Sequence, residues 1–343
     1  MRFATACAVV VLACLAVGGA VVAQKGTVPA AAQGTSVVPQ SQPPRSAQPS
    51  REATAAPITP AAAPAAPNPA LAAVPALAPP APLPVCTNPN GLGVARVVEI
   101  DTTGGPGFGF EHFKAHDFLR PGEVVLTFDD GPWPRNTPAV LEALASHCTR
   151  ATFFPIGKHA VWHPEILKQV AAAGHSIGSH TWSHADLSKK PFEEAREDIE
   201  KGISAVRYAI GAQAAPFFRF PALRHPPDLL AYLAERNIGV FSTDMDSFDF
   251  KMRRPEQVTQ AVLAKLKKYG KGIVLMHDFQ QATAGAGPEL LRQLKANGYK
   301  IVHMKGKDAL QTLPKYDEIV MKELGPGVAN ARPTSTIVRT ISE

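Results

Sequence analysis

Between residues 123 and 304, short apolar runs alternate with longer stretches in which apolar residues recur every three to four positions. The short runs are "EVVLTF", "ATFFPI", "HSIGS", "PFFRF", "IGVFST", "GIVLM" and "YKIVHM". They read as strands. The longer stretches predict helices over residues 137–147, 163–173, 191–210, 226–237, 255–269 and 288–297. Several open on proline at or near the first turn and close at Gly174, Gly211 or Gly298, the residues that favour those positions. Strands and helices in strict alternation imply parallel βα units. Buried runs with helices between them fit either a closed βα barrel or an open doubly wound sheet.

Outside this region the pattern lapses. Residues 1–23 hold one early arginine, a long apolar run and the small residues of "AVVAQ", so they are expected to be a signal peptide cleaved after Ala23. The run is long for a signal core, which keeps an uncleaved membrane anchor as the alternative and the only expected membrane contact. A weak acylation-site likeness at Cys14 ranks third. Within residues 25–85, 33 of 61 are Ala or Pro and none is aromatic, too little apolar surface to offset the entropy of ordering. Residues 24–85 are therefore expected to be a disordered Ala/Pro-rich linker, leaving residues 86–318 as the folded domain and 319–343 as a weakly ordered tail. Export to the periplasm, cell envelope or medium follows from the leader.

Two cysteines remain beyond the leader, Cys86 and Cys148, and they exclude a cysteine metal site while leaving one disulfide or two unpaired thiols open. The net charge of +6 comes without a dense basic block, so no nucleic-acid partner is expected. Anionic envelope polymers suit such a charge better.

Candidate chemistry gathers at the ends of the apolar runs. Asp129 and Asp130 follow "VVLTF", His180 follows "HSIGS", Arg219 lies in "PFFRFP", Asp246 and Asp249 follow "VFST", and His277 follows "IVLM". In βα barrels functional groups collect at the carboxyl ends of strands, so five strands deliver ionisable groups to one rim. Neighbouring residues of a strand point to opposite faces, and the adjacent Asp129 and Asp130 can serve one site only if the chain turns there, as Gly131 and Pro132 allow. "HTWSH" sets His180 and His184 four residues apart, on one face of a helix or tight turn. With Asp130 they make two imidazoles and one carboxylate, a set that suits zinc with an open position and could also hold iron.

In order, "TFDDGP", "HTWSH", "RFP", "DSFDF" and "LMH" resemble the five motifs of the polysaccharide deacetylases of the NodB-homology type, carbohydrate esterase family 4. The resemblance covers residues 123–304. It implies a deformed (β/α)7 barrel, Zn2+ or another divalent transition metal, and hydrolysis of N-acetyl groups on an N-acetylglucosamine-containing glycan of peptidoglycan or chitin type. By position, Asp130, His180 and His184 resemble the metal ligands, Asp129 the general base and His277 the general acid. Arg219 resembles the residue that orients the base, Asp249 the partner of the acid, and Ala222 the backbone donor to the oxyanion. Two departures stand out: Ala222 and Leu223 occupy the positions where the third motif commonly has Tyr and Gly, and Phe250 stands where the fourth commonly has Trp. Leu223, Phe250 and His225, three residues past Ala222, are candidate substrate contacts. An O-acetyl esterase acting on xylan-like glycan and a silent glycan-binding domain are the rival readings, and the intact Asp129, Asp130, His180, His184 and His277 speak against silence. "TTGGPGFGF" reads as a loop, His175 and His303 as framework residues, His112 and His159 as incidental, and Trp133 and Trp182 as packing residues that could also stack on a sugar.

Overall fold

The computed structural model describes residues 87–324. In chain order it contains β1 (Arg96–Ile100), β2 (Gly107–Phe108), β3 (Glu123–Asp129), α1 (Asn136–Ser146), β4 (Thr152–Phe154), α2 (Gly157–Trp162), α3 (Pro164–Ala172) and β5 (Ser176–Ile177). There follow α4 (Phe192–Ile210), β6 (Phe217–Phe218), α5 (Pro227–Glu235), β7 (Gly239–Phe241), β8 (Met245–Asp246), α6 (Pro255–Tyr269), β9 (Gly272–His277), α7 (Gln281–Ala296), β10 (Lys300–Gly306) and α8 (Pro314–Leu324). Every pairing between these strands is parallel, which makes this an α/β fold. One sheet runs β1-β10-β3-β4-β5, with β9 also beside β3 and β8 beside β9; the other runs β2-β7-β6. A parallel bridge between Ser179 and Phe218 links the chain after β5 to β6.

All seven residues of β3 are buried, as a parallel strand covered on both faces requires. Its period-two alternation separates two environments. Val124, Leu126 and Phe128 pack with Val140 and Leu144 of α1 and Leu290, Leu291 and Leu294 of α7. Val125, on the opposite face, joins an inner cluster with Phe154, Phe217, Phe241, Ile273 and Val302, to which strands of both sheets contribute. Thr127 and Asp129 share that inner face and carry it toward the carboxyl end of the strand.

Several elements differ from the sequence expectation. β1 is a half-exposed strand beside β10 whose Val97 is in solvent, so its apolar content was too thin to stand out. The Gly-rich stretch expected to be only a loop contains β2, paired with β7. Residues 157–162 form a separate short helix, α2, ahead of α3. Helix α7 starts at Gln281, not Pro288, and carries that proline inside it. Its first two turns, "QATAGAG", look like loop but pack closely, since a Cβ on Gly285 would press on Pro255 and one on Gly287 on Ala143. The weakly ordered tail expected from Ile319 is corrected as far as Leu324, because α8 docks on α4 through Val320, buried with Ala205, and the Arg207–Asp317 ion pair. The expected leader, linker and Cys86 lie outside the described residues; Cys148 is disulfide-bonded. Among the described residues no helix is long and apolar enough to cross a membrane.

Candidate active site

The chain turns at Asp130, whose φ is +73°, and this brings the side chains of Asp129 and Asp130 to one cleft. Asp278, directly after β9, fixes the turn: its Oδ1 accepts the Gly131 N–H (3.1 Å) and its other oxygen accepts the Thr137 hydroxyl. Any side chain at residue 131 would overlap that carboxylate, so the glycine is required by close approach. Burial pushes Asp278 up to about 7 against the hydrogen bond from Thr137, with the neighbouring Asp130 adding to the rise. The sequence reading missed Asp278; the only signal was its place directly after His277.

The two adjacent aspartates have different partners. Asp129 is buried and its Oδ1 accepts from Arg219 Nη1 at 2.7 Å. Arg219 is itself wholly buried, and it also donates to Thr127 Oγ1, Phe241 O and Ser242 O while lying 4.4 Å from the centre of the Phe154 ring. Burial raises the Asp129 pKa, and the charge of Arg219 pulls it down. Asp130 instead faces imidazoles: its Oδ1 lies 3.4 Å from His180 Nε2 and 3.3 Å from His184 Nε2.

These three residues fit a cation. Asp130 Oδ1 is buried without a hydrogen-bond partner, an arrangement that is costly unless something positive meets it. Among the described residues Asp130, His180 and His184 form the one cluster of metal-ligating type, with donor atoms within 4.8 Å of one another. His180 Nδ1 donates to the Arg219 carbonyl (2.7 Å), which leaves the Nε2 lone pair facing the cluster. Burial lowers the His180 pKa to about 3, so its imidazole is neutral and able to ligate. Zinc, whose ligands are imidazole nitrogens and carboxylate oxygens, suits this set.

The "HTWSH" segment is a tight turn and not a helix, with Thr181 and His184 both at positive φ. Asp198 of α4 holds it, accepting the N–H groups of Trp182 and Ser183 (both 2.9 Å) and the Ser183 hydroxyl. His184 N–H in turn donates to Thr181 Oγ1 (2.9 Å). Because such outer partners orient metal-binding histidines, Asp198→Ala is expected to weaken zinc affinity by about 10- to 100-fold, read by competitive zinc titration. Unchanged affinity would mean that the turn holds itself.

On the far side of the cleft His277 Nδ1 lies 2.6 Å from Asp249 Oδ1, and its Nε2 lies 3.9 Å from Asp130 Oδ2. Asp249 is buried and also accepts from the His277 backbone N–H and the Thr283 hydroxyl. Burial pulls the His277 pKa down, but the hydrogen bond and charge of Asp249, helped by Asp130 and Asp129, carry it up to about 9. Phe250, 48% exposed, stands edge-on to His277 with ring centres 5.6 Å apart.

The cleft has a volume of about 490 Å3, and Asp129, Asp130, His180, His184, Ala222, Leu223, Phe250 and His277 all line it. Arg219 and Asp249 stand behind it as buried supports. His225 is a correction: it is not among the lining residues but packs against His112, Phe113 and Phe220, because Ala222 and Leu223 at positive φ turn the chain away. His112 does line the cleft, fixed by Ser242 Oγ 2.7 Å from its Nδ1, and nothing in the local sequence signalled it. His159 Nδ1 donates to the Asp130 carbonyl (2.6 Å). Trp182 packs beside Val161 and Ala205, and Trp133 against His159 and His163; neither lines the cleft.

The family model for polysaccharide deacetylase matches residues 119–240. The peptidoglycan-N-acetylglucosamine deacetylase of Bacillus cereus is 33% identical over 195 residues, covering 55% of this chain and 70% of its own length. The chitooligosaccharide deacetylase of a Bradyrhizobium species is 34% identical over 155 residues, covering 45% and 70%. The peptidoglycan-N-acetylglucosamine deacetylase PgdA of Listeria monocytogenes is 35% identical over 182 residues, covering 52% of this chain, and the chain spans only 37% of that relative. Among solved structures, the peptidoglycan deacetylase Bd3279 of Bdellovibrio bacteriovorus superimposes with a TM-score of 0.58 at 35% identity, covering 66% of this chain and 63% of that one.

Proposed function

This chain belongs to the polysaccharide deacetylase family, and from that premise we propose that it is a metal-dependent hydrolase that removes N-acetyl groups from N-acetylglucosamine-containing glycan of peptidoglycan or chitin type. One observation carries the reading: two adjacent carboxylates at a strand end have unlike partners, Asp129 a buried arginine and Asp130 two imidazoles. Asp130, His180 and His184 hold the metal, with zinc as the ion. When bound, it supplies Lewis-acid polarisation and a water acidic near neutral pH.

The chain's own residues do the rest. Asp129, oriented by Arg219, whose charge opposes the rise in its pKa caused by burial, takes the proton of the attacking water. The Ala222 N–H, on the cleft wall, donates to the oxygen that gains charge from the acetyl carbonyl. His277, protonated and oriented by Asp249, gives its proton to the departing amine nitrogen. Leu223 and Phe250 form apolar walls against the sugar. The inner cluster drawn from strands of both sheets, with the Ser179–Phe218 bridge, supports a deformed (β/α)7 barrel. The catalytic domain, expected over residues 86–318, continues through α8 to Leu324, and a leader and linker ahead of it would place it outside the cytoplasm.

Metal-loaded protein incubated with chitooligosaccharide, peptidoglycan and acetylxylan tests this by release of acetate and appearance of free amine. Acetate with matching amine is expected from an N-acetylated glycan. Acetate without amine selects the esterase, and no acetate from any of the three removes the enzyme reading.

The pH dependence tests the acid. His277 must be protonated, so kcat/KM is expected to fall on an alkaline limb near pH 9. Asp249→Asn removes the anion that raises this pKa and is expected to move that limb to lower pH. An unmoved limb would assign it to another group.

A further inference from the structure

A cavity of about 450 Å3 opens where the chain enters β5 and β6, and it shares no lining residue with the catalytic cleft. His175 and Ser176 at the amino end of β5, residues 212–215 ahead of β6 and residues 305–309 at the close of β10 form its walls. His180 follows the carboxyl end of β5, so the two sites lie toward opposite ends of that strand. The volume is in the range of small-ligand sites.

His175 is only 9% exposed, and it lines this cavity. Its Nδ1 accepts the Ala151 N–H (3.2 Å), so the neutral ring carries its proton on Nε2. Among the described residues that second N–H has no acceptor, a costly state for a group so buried unless a ligand meets it. Burial pushes the His175 pKa down to about 3 and the charges of His303 and Arg150 add to the fall, so the ring is neutral in a positive field. Lys305 lines the same cavity without an ion-pair partner among the described residues, whereas Lys307 is committed to Asp101 (2.8 Å). A free cation and a free N–H donor suit a carboxylate. Asp308, also on the wall, disfavours a multiply charged anion and can accept peptide N–H groups. Ala171, Ile210, Ala214 and Ala309 supply an apolar surface on which methyl-sized side chains fit.

We propose that this cavity binds the carboxylate end of a short alanine-type peptide, of the kind that peptidoglycan strands bear, and so docks the protein on the wall polymer at a place remote from its catalytic cleft. The carboxylate meets Lys305 and His175 Nε2–H, the peptide N–H groups meet Asp308, and the methyl groups meet the alanine-lined surface. The ligand chemistry rests on the cavity alone; its source in peptidoglycan rests on the deacetylase reading above.

The test uses the full chain with N-acetyl-D-alanyl-D-alanine and its carboxamide as probes in calorimetry. The acid is expected to bind with a Kd of roughly 1 mM, and the carboxamide about tenfold more weakly. Lys305→Ala, an exposed change that leaves the core untouched, is expected to weaken the acid about tenfold, and Lys305→Arg to retain it. His175→Asn keeps an acceptor for the Ala151 N–H, loses the Nε2 donor and is expected to weaken the acid as well. No binding of the acid, equal binding of acid and carboxamide, or full binding by Lys305→Ala overturns the site. Sedimentation with peptidoglycan sacculi, intact or stripped of peptide by an amidase, tests the source. The wild type is expected to be retained more on intact sacculi and Lys305→Ala to lose that difference; equal wild-type retention on both overturns docking to the wall. Lys305→Ala is expected to release acetate from chitooligosaccharide, which bears no peptide, at the wild-type rate. Binding does not require turnover, so a protein that releases no acetate yet binds the acid would sink the deacetylase reading and leave the site standing, and acetate release without peptide binding would do the reverse.

Discussion

Asp130→Ala is expected to leave the protein without bound metal and without activity, whereas Asp129→Asn is expected to bind metal normally and lose activity by about 10³-fold, in the range of a removed general base. The two residues are adjacent, so the contrast depends on what each side chain meets. Alanine at residue 130 removes the carboxylate between His180 Nε2 and His184 Nε2 and leaves only two imidazoles. Asparagine at residue 129 keeps a carbonyl oxygen to accept from Arg219 Nη1 but cannot take a proton from water. Metal content by elemental analysis after dialysis, paired with acetate release, reads both effects. Equal metal loss in the two variants would show that Asp129 is a ligand and that the roles are exchanged. Full activity in Asp129→Asn would remove the general base from the scheme.

This asymmetry was only partly legible in the sequence. Apolar runs bounded by turn residues located β3, β4, β5, β6, β7, β9 and β10, because strands buried on both faces have nearly continuous apolar composition. β1, β2 and β8 escaped, the first because polar and apolar residues share it and the other two because a strand of two residues forms no pattern. Asp129, Asp130, His180, Asp249 and His277 stood out because they follow apolar runs in the one-dimensional pattern, and His184 because of its four-residue spacing from His180. What the pattern could not carry was contact between distant segments. His112 reaches the cleft through Ser242, 130 residues away. Asp278 works by holding Gly131, 147 residues away. His225 was chosen for its nearness to Ala222, and two residues at positive φ were enough to send it into an aromatic cluster instead.

Arg219→Met is expected to cost roughly 3–5 kcal/mol of stability, the usual consequence of removing one partner from a buried ion pair. Methionine fills part of the space and keeps contact with Phe154, but it donates no hydrogen bond. Thr127 Oγ1, Asp129 Oδ1, Phe241 O and Ser242 O then all lose a donor inside the protein. The effect should also depend on pH. Burial already raises the Asp129 pKa, and Arg219 is the main charge opposing that rise, so its removal raises the pKa further. A carboxyl whose folded pKa lies above its unfolded value destabilises the protein at pH above that unfolded value. The stability deficit is therefore expected to be largest at neutral pH and to shrink as the pH falls and Asp129 takes up a proton. In any residual activity the acidic limb of kcat/KM is expected to move to higher pH, because Asp129 must be ionised to act. Denaturant unfolding at several pH values and a pH–rate profile separate this from simple loss of packing, which would lower stability by the same amount at every pH and leave the acidic limb in place.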